Sequence, residues 1–140
     1  EEITEEEVDS LAKMFCEDRG RNGVRYVNFD DFVEMIEKAP EEVYLNPAGN
    51  TPPTMKSCET VARICLKRWN KDDCVNIADR KIKIGMDKEQ LILSWGLPNH
   101  KNDTHTTGGI RSQWVYGDFG PYVYLEGEDN FELKVTSWQD

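Results

Sequence analysis

The sequence has no long hydrophobic run, no excess of positive charge and few histidines. Its apolar stretches last only a few residues, far short of the roughly 20 needed to cross a bilayer, so we expect no membrane span. A net charge of −10 argues against binding nucleic-acid phosphates. With two histidines, no GxSxG motif and no phosphate-binding glycine loop, the chain offers no recognisable catalytic site. We therefore predict a protein that is not an enzyme and needs no cofactor or metal.

The composition is that of a folded protein whose negative charge is concentrated at one end. Of the 140 residues, 38% are hydrophobic and 31% charged, which allows a modest core. Residues 1–54 hold 14 acidic and 5 basic residues, a net −9, whereas residues 55–140 hold 13 and 12, a net −1. An acidic segment complements a basic surface or helix on another protein. We expect such a protein partner, although an acidic face also serves solubility alone.

The four cysteines have spacings that exclude the common local motifs. Cys16, Cys58, Cys65 and Cys74 form no CxxC pair, which argues against a zinc knuckle or thioredoxin-type site. On one helix, Cys58 and Cys65 would be roughly 10 Å apart, too far for a disulfide. Cys65 and Cys74 could meet across a helical turn. The even count permits an oxidising compartment, and buried free thiols explain it equally well.

The N-terminal segment, residues 1–45, has the pattern of a helix-loop-helix. Thr4 and Glu7 are spaced as a capping box. A single helical face then carries Val8, Leu11, Ala12 and Phe15. A glycine-containing break and the β-like VRYV precede a second apolar face of Phe29, Phe32, Val33 and Ile36, before Pro40. The segment therefore predicts two amphipathic helices.

Residues 4–38 resemble a degenerate EF-hand of the calmodulin-like and myosin-light-chain kind, chiefly through YVNFDDFVEMI. In that alignment Gly20 and Val24 offer no side-chain oxygen where calcium ligands are needed, and Asp31 replaces the usual glutamate. The resemblance thus implies a helix-binding groove without calcium. Its candidate partner-binding residues are Phe29, Asp30, Asp31 and Phe32. The alternative is a plain helix-loop-helix packed on the rest of the chain.

Residues 46–54 read as a linker, because they hold three of the six prolines and Gly49. Thr54 or Ser57 is placed to cap a following helix. The apolar side of that helix would carry Val61, Ile64, Cys65 and Trp69. A turn at NKDD then leads to a short helix near Cys74–Ala78.

The stretch KIGMDKEQLILSWGLP predicts an extended lead-in, a sharp turn and a short capped helix. Gly85 allows the turn. Asp87 and Gln90 are spaced as a capping box, and a helix starting there would place Leu91, Leu93 and Trp95 on a broad apolar side. Gly96 and Pro98 are residues that end helices.

The C-terminal third predicts a sheet. IRSQWVYG, PYVYLEG and FELKVTSWQ alternate as strands and are separated by turn residues, so we expect a three-stranded antiparallel meander with helices on one face. The preceding NHKNDTHTTGG is predicted to be a solvated loop, in which His100, Asp103 and His105 have neither a catalytic nor a metal role. The class is therefore α+β: an N-terminal helix-loop-helix, then helices packed on the sheet.

The aromatic residues of this region divide into two groups. Trp95 and Trp114 are expected in the core between helix and sheet. Tyr122 and Tyr124 tolerate water at one end and are the candidates for a partner-binding face.

Residues 81–139 resemble the small domain of bacterial SmpA/OmlA lipoproteins, the family of BamE. GMDKEQLILSWGLP, QWVYG, YVYLEG and KVTSWQ carry the resemblance. It implies two helices packed on a three-stranded antiparallel sheet, and a non-catalytic scaffold that binds another protein.

These observations predict a protein–protein interaction module of a bacterial cell envelope, periplasmic or secreted. We expect an acidic segment at residues 1–45, a linker at 46–54 and a BamE-like α+β domain at 55–140. One alternative is a light-chain-like protein that grips a basic helix. Another is an acidic inhibitor or immunity protein that blocks an enzyme, and a small hydrolase comes last. A cytoplasmic location is the alternative to the envelope.

Overall fold

The computed structural model of the protein describes residues 3–16, 33, 54–96, 98, 100–116, 121–129 and 132–139. Within these residues helices come first and strands follow. The helices are α1 Glu5–Cys16, α2 Met55–Arg68, α3 Lys71–Ala78 and α4 Lys88–Trp95. The strands are β1 His100–Thr106, β2 Gly109–Val115, β3 Tyr122–Gly127 and β4 Lys134–Gln139. The class is α+β, as predicted.

The sheet has four strands rather than the predicted three. Its order is β1-β2-β3-β4, and every neighbouring pair is antiparallel. The additional strand is β1, in the stretch predicted to be a solvated loop. It pairs with β2 in continuous register from His100 opposite Val115 to Thr106 opposite Gly109. All seven residues of β1 are exposed, so the strand has no apolar alternation by which the sequence could reveal it.

The segment that leads into α4 is hydrogen-bonded to the β4 edge of the sheet. The Gly85 amide donates to the Val135 carbonyl over 2.8 Å, and the Val135 amide donates to the Met86 carbonyl over 2.8 Å. Gly85 has φ +97°, a conformation that favours glycine. The predicted sharp turn is therefore present, and the residues after it extend the sheet.

The predicted helix starts at Thr4, Thr54 and Asp87 are all present. Thr4 Oγ1 accepts from the Glu7 amide over 3.1 Å, and the Thr54 side chain accepts from the Ser57 amide over 3.2 Å. At α4, both hydrogen bonds of a capping box are formed between Asp87 and Gln90. These caps satisfy amides that have no partner within the helix, which fixes where each helix begins.

One hydrophobic cluster joins the helices to the inner side of the sheet. Its buried members include Phe15 of α1, Val61 of α2, Ile77 of α3, Leu91 of α4 and Trp114 of β2. Within the predicted N-terminal segment, α1 therefore packs on the same core as the later helices. The division of the chain into domains stays a prediction.

A disulfide fastens α1 to α2. It joins Cys16 to Cys58, whose Cα atoms are 5.8 Å apart. Cys65 and Cys74, which their spacing in the sequence suggested as a possible pair, are both buried free thiols. The disulfide between distant cysteines was not anticipated from the sequence, because nothing local relates positions 16 and 58.

The second helix predicted in the N-terminal segment lies outside the described residues, with the exception of Val33, which is half-buried and packs against the core. Among the described helices, none combines the length and apolarity that crossing a bilayer requires, in agreement with the expectation from the sequence.

Candidate functional site

Alternation along the strands gives the sheet two chemically different faces. The inner side chains of Ser112, Trp114, Val123 and Leu125 are buried. We call the opposite side the outer face. In register across the four strands, it carries His100, Asn102, Thr104, Arg111, Gln113, Val115, Tyr122, Tyr124, Glu126, Lys134, Ser137 and Gln139. Most of these side chains are polar, so the outer face can contact water or another protein.

A line of hydrogen bonds crosses the outer face from one edge to the other. Asn102 Nδ2 donates to Gln113 Oε1 over 3.0 Å, and Gln113 Nε2 donates to the Tyr124 hydroxyl over 3.4 Å. That hydroxyl in turn donates to Gln139 Oε1 over 3.2 Å. One side chain comes from each strand, and we call the four together the polar ladder. It holds the Tyr124 ring in one orientation at the centre of the face.

An ion pair lies beside the polar ladder. Arg111 Nε donates to Glu126 Oε1 over 2.9 Å, and the two residues are opposite each other in register. Their side chains are 72% and 45% exposed, so the pair adds little stability and stays accessible. Arginine and tyrosine are both enriched among the residues that contribute most to the affinity of protein interfaces.

An apolar spot adjoins the ladder on its other side. Val115 is opposite Tyr122 in register and is only 5% exposed, although it belongs to the outer face and not to the main core cluster. Tyr122 itself is half-buried. The outer face therefore combines an apolar spot, a hydrogen-bonded tyrosine and an exposed ion pair.

The structure places two of the six predicted binding residues on this face. Tyr122 and Tyr124 are both half-buried on the outer face, as a residue with one apolar and one polar end should be. Phe29, Asp30, Asp31 and Phe32 lie outside the described residues.

The sequence did not indicate Asn102, Gln113 or Gln139. Gln113 and Gln139 lie on predicted strands, but Asn102 lies on β1, which was read as a loop. Recognising β1 as a strand would have placed Asn102 opposite Gln113 and thus revealed one end of the ladder.

The inner side of β1 is exposed, because the strand extends past the core. The ammonium of Lys101 lies 4.7 Å from the centroid of the Trp114 ring, a cation–π contact. Although the residue as a whole is exposed, partial burial of its ammonium, followed by repulsion from Lys88, lowers the pKa of Lys101 below its usual range. Ser112 Oγ donates to Asp103 Oδ1 over 2.5 Å. These contacts hold the edge strand against the sheet.

The Ser112–Asp103 contact does not suggest a catalytic site. The serine is 2% exposed, so its hydroxyl is not accessible to a substrate, and its hydrogen bond to Asp103 joins β2 to β1. Within the part of the chain that the structure describes, no group of three or more His, Cys, Asp or Glu is placed to hold a metal ion.

A second surface feature is an open groove of about 280 Å³ between α1, α2 and α3. Its lining residues are Glu6, Glu7, Ser10, Leu11, Met14, Leu66, Lys71 and Val75. Four of these are apolar and two are carboxylates from the first turn of α1. We call it the helical groove. Its chemistry suits an apolar group that carries a positive charge.

The comparisons with known proteins assign the chain to no family. No protein family, no curated protein and no solved structure matches it. The resemblances of residues 81–139 to SmpA/OmlA proteins and of residues 4–38 to EF-hands therefore remain hypotheses drawn from short motifs.

Proposed function

We propose that the protein is a non-catalytic binding module whose protein partner docks on the outer face of the sheet. The observation that carries this proposal is the polar ladder, which runs through all four strands and fixes Tyr124 at its centre. A side chain that is already held in place loses little freedom when a partner binds, so more of the contact energy becomes affinity.

The shape and residue types of the outer face support a protein partner over a small molecule. Small ligands are usually bound in concave, largely apolar pockets. The outer face is instead formed by the side chains of a sheet, and it presents tyrosine, arginine and amide groups. Such a surface suits a broad partner that packs on the half-buried Tyr122 and Tyr124 and keeps hydrogen bonds at the rim.

The disulfide supports a location in an oxidising compartment, in line with a periplasmic or secreted protein of a bacterial envelope. Cys16 and Cys58 are joined, and such bonds persist where the cell does not maintain thiols in reduced form. A cytoplasmic location, the alternative, would leave both thiols reduced. The proposed role as a scaffold agrees with the SmpA/OmlA resemblance of residues 81–139.

The helical groove favours a second candidate function, the binding of a basic amphipathic helix. Leu11, Met14 and Leu66 offer apolar contacts, and Glu6 and Glu7 offer negative charge. Helix-in-groove recognition uses this combination. Either an inhibitor that blocks a basic enzyme or a light-chain-like protein would use such a surface, and binding there should weaken steeply with salt.

Site-specific photo-crosslinking distinguishes the two surfaces. A photoreactive amino acid is introduced at Ser137 on the outer face, at Ser10 in the helical groove, or at Lys67 on α2 as a control, and each variant is irradiated in its native cells. All three residues are exposed. Lys67 serves as the control because it belongs to neither surface. We expect one discrete protein adduct from Ser137, and excess unlabelled protein should abolish it.

A matched pair of competitors makes the test specific. Excess protein carrying Tyr124→Ala and Arg111→Ala should compete poorly for the Ser137 adduct, while a Lys67→Ala competitor should act like the wild type. Circular dichroism checks that both competitors are folded. Adducts from Ser10 but not Ser137 would replace the proposal with helix binding, and equal adducts from all three positions would refute both.

A further inference from the structure

Helix α2 meets a cysteine on each of its two neighbouring helices. Cys58 and Cys65 are two turns apart on α2, and both are fully buried. Cys58 is bonded to Cys16 of α1. Cys65 shares the buried core cluster with Cys74 of α3, which is the neighbour that most affects the pKa of Cys65. The four cysteines thus form two facing pairs, of which one is oxidised and the other is not.

The two pairs differ in their access to solvent. Cys16 is half-buried at the C-terminal end of α1, so a reagent can approach the first pair. Cys65 and Cys74 are both 0% exposed and belong to the main core cluster. The hydrogen bond with Cys74 and burial raise the pKa of Cys65 well above its usual range. Because the thiolate is the reactive form, the folded protein protects the second pair from oxidants.

The connection between α2 and α3 is short, and this keeps the second pair together. Only Trp69 and Asn70 separate the two helices. When the helices part locally, the thiols become accessible but cannot move far from each other. Local openings of this kind occur in folded proteins at a free-energy cost below that of complete unfolding.

We propose that Cys65 and Cys74 are a latent disulfide site, which local opening of α2 and α3 exposes to a low-molecular-weight disulfide such as oxidised glutathione. One protein thiolate attacks oxidised glutathione, which forms a mixed disulfide and releases one glutathione thiolate. The other protein thiol, as its thiolate, then displaces the second glutathione. Two protein thiols lose two protons and two electrons in total, and one glutathione disulfide becomes two thiols.

Closure of this bond would fasten α2 to both of its neighbours. Its occurrence in cells rests on the proposed oxidising compartment. The capacity to form it belongs to the chain alone, and a test with purified protein therefore fails or succeeds independently of the proposed function.

The experiment uses the purified full chain with Cys16–Cys58 formed. It is incubated with oxidised glutathione, with and without urea below the unfolding transition. The reaction is then quenched with N-ethylmaleimide in guanidinium chloride, which unfolds the chain so that every remaining thiol is labelled, and is analysed by intact mass and non-reduced peptide mapping. We expect two maleimide adducts at the start, and none once a peptide links Cys65 to Cys74. The rate should rise with urea, because opening precedes oxidation. Thermal unfolding should shift upwards after the reaction.

Two variants make the result decisive. In Cys74→Ser no second thiol is present at position 74, so Cys65 should accumulate the mixed disulfide with glutathione that the wild type does not retain. In Cys65→Ser/Cys74→Ser, glutathione should leave the thermal transition unchanged. The proposal is overturned by two thiols that persist in urea, by a stable glutathione adduct on the wild type, or by peptides that link Cys65 or Cys74 to other cysteines.

Discussion

The hydroxyl of Tyr116 donates a hydrogen bond to the carbonyl oxygen of Gly96 over 3.0 Å, which ties the end of β2 to the end of α4. The same tyrosine ring packs edge-on against Trp95, with ring centroids 5.6 Å apart. Gly96, which ends α4, and Tyr116, which follows β2, are therefore in direct contact. The bond is buried and joins two segments that are 20 positions apart in the sequence.

Replacing Tyr116 with phenylalanine should destabilise the protein by about 1–3 kcal/mol, because the Gly96 carbonyl loses its hydrogen-bond donor. Tyr116 is 3% exposed, so water does not readily replace the lost hydroxyl. Urea unfolding measures the change. Tyr124→Phe is the control, since its hydroxyl lies on the outer face and its loss should cost less than Tyr116→Phe. Equal losses in the two variants would contradict the assignment of Tyr116 as a buried anchor.

The same residue should make the protein sensitive to alkali. Burial raises the pKa of Tyr116 well above its ordinary value of 10.0. The unfolded chain loses this proton first as the pH rises, so the contribution of Tyr116 is fully present below pH 10 and is lost above it. We expect the free energy of unfolding to fall less steeply above pH 10 in Tyr116→Phe than in the wild type. Parallel curves for the two proteins would argue against the shift.

The sequence predicted the parts of this fold that are governed by local rules. Each helix start rests on a side chain that meets an amide three residues later, and Thr4, Thr54 and Asp87 could be recognised because the relationship is local. The buried faces of α1 and β2 also followed from the periodicity of their apolar residues. What the pattern could not supply was β1, whose exposed residues have no apolar period.

The capping box at α4 gives the next prediction. Asp87 Oδ1 accepts from the Gln90 amide over 2.8 Å, and the Gln90 side chain accepts from the Asp87 amide over 3.0 Å. Asp87→Ala should lower the free energy of unfolding by about 0.5–2 kcal/mol. Asp87→Asn keeps an oxygen acceptor and should retain most of the stability. If both variants lose the same amount, the carboxylate charge rather than the cap would be responsible.

The sequence did not reveal the disulfide or part of the candidate site, because both depend on contacts between distant parts of the chain. Local spacing related Cys65 to Cys74, which are buried free thiols, but the disulfide joins cysteines separated by 42 positions. Likewise, Gln139 meets Tyr124 only once the strands have paired. Such pairs depend on tertiary packing, which no period or short motif encodes.

The disulfide should contribute strongly to stability. With 42 positions between Cys16 and Cys58, its loss should cost about 3–4 kcal/mol by the loop-entropy relation. Cys16→Ala/Cys58→Ala tests this by urea unfolding under non-reducing conditions. Reducing agent should lower the stability of the wild type and leave the double variant unchanged. An effect of reductant on the double variant would show that another disulfide had formed.

Glu89 should oppose folding at neutral pH, despite its contact with Arg68. Arg68 Nη2 lies 2.5 Å from Glu89 Oε2, yet burial outweighs this attraction and raises the pKa of Glu89 above its ordinary 4.5. The folded state holds the Glu89 proton more tightly than the unfolded chain does. The resulting contribution to the free energy of unfolding is therefore fully present below pH 4.5 and is lost as the pH rises through the raised pKa.

Glu89→Gln removes this titration. Relative to the variant, the wild type should lose stability as the pH rises from 4 towards neutrality, which urea unfolding across that range would show. The double variant Arg68→Met/Glu89→Gln separates the lost ion pair from the lost charge. A wild-type protein that instead gains stability over the same range would mean that attraction to Arg68 prevails over burial.

Gly109 should be the residue on which the β1–β2 hairpin depends most. It has φ +135°, and a Cβ added there would lie 2.2 Å from the Gly127 carbonyl oxygen, a backbone atom that cannot easily move aside. Gly109→Ala should therefore destabilise the protein by more than about 2 kcal/mol. Gly108 is the matched control: its added Cβ would meet only the Thr106 hydroxyl oxygen at 4.0 Å, an ordinary contact.

Urea unfolding, with hydrogen exchange of the β1 amides, compares the two alanine variants. Exchange in β1 should quicken in Gly109→Ala alone, because the strand that carries Asn102 then separates from its neighbour. If Gly108→Ala were equally damaging, the turn rather than the close approach of Gly109 to β3 would limit the hairpin.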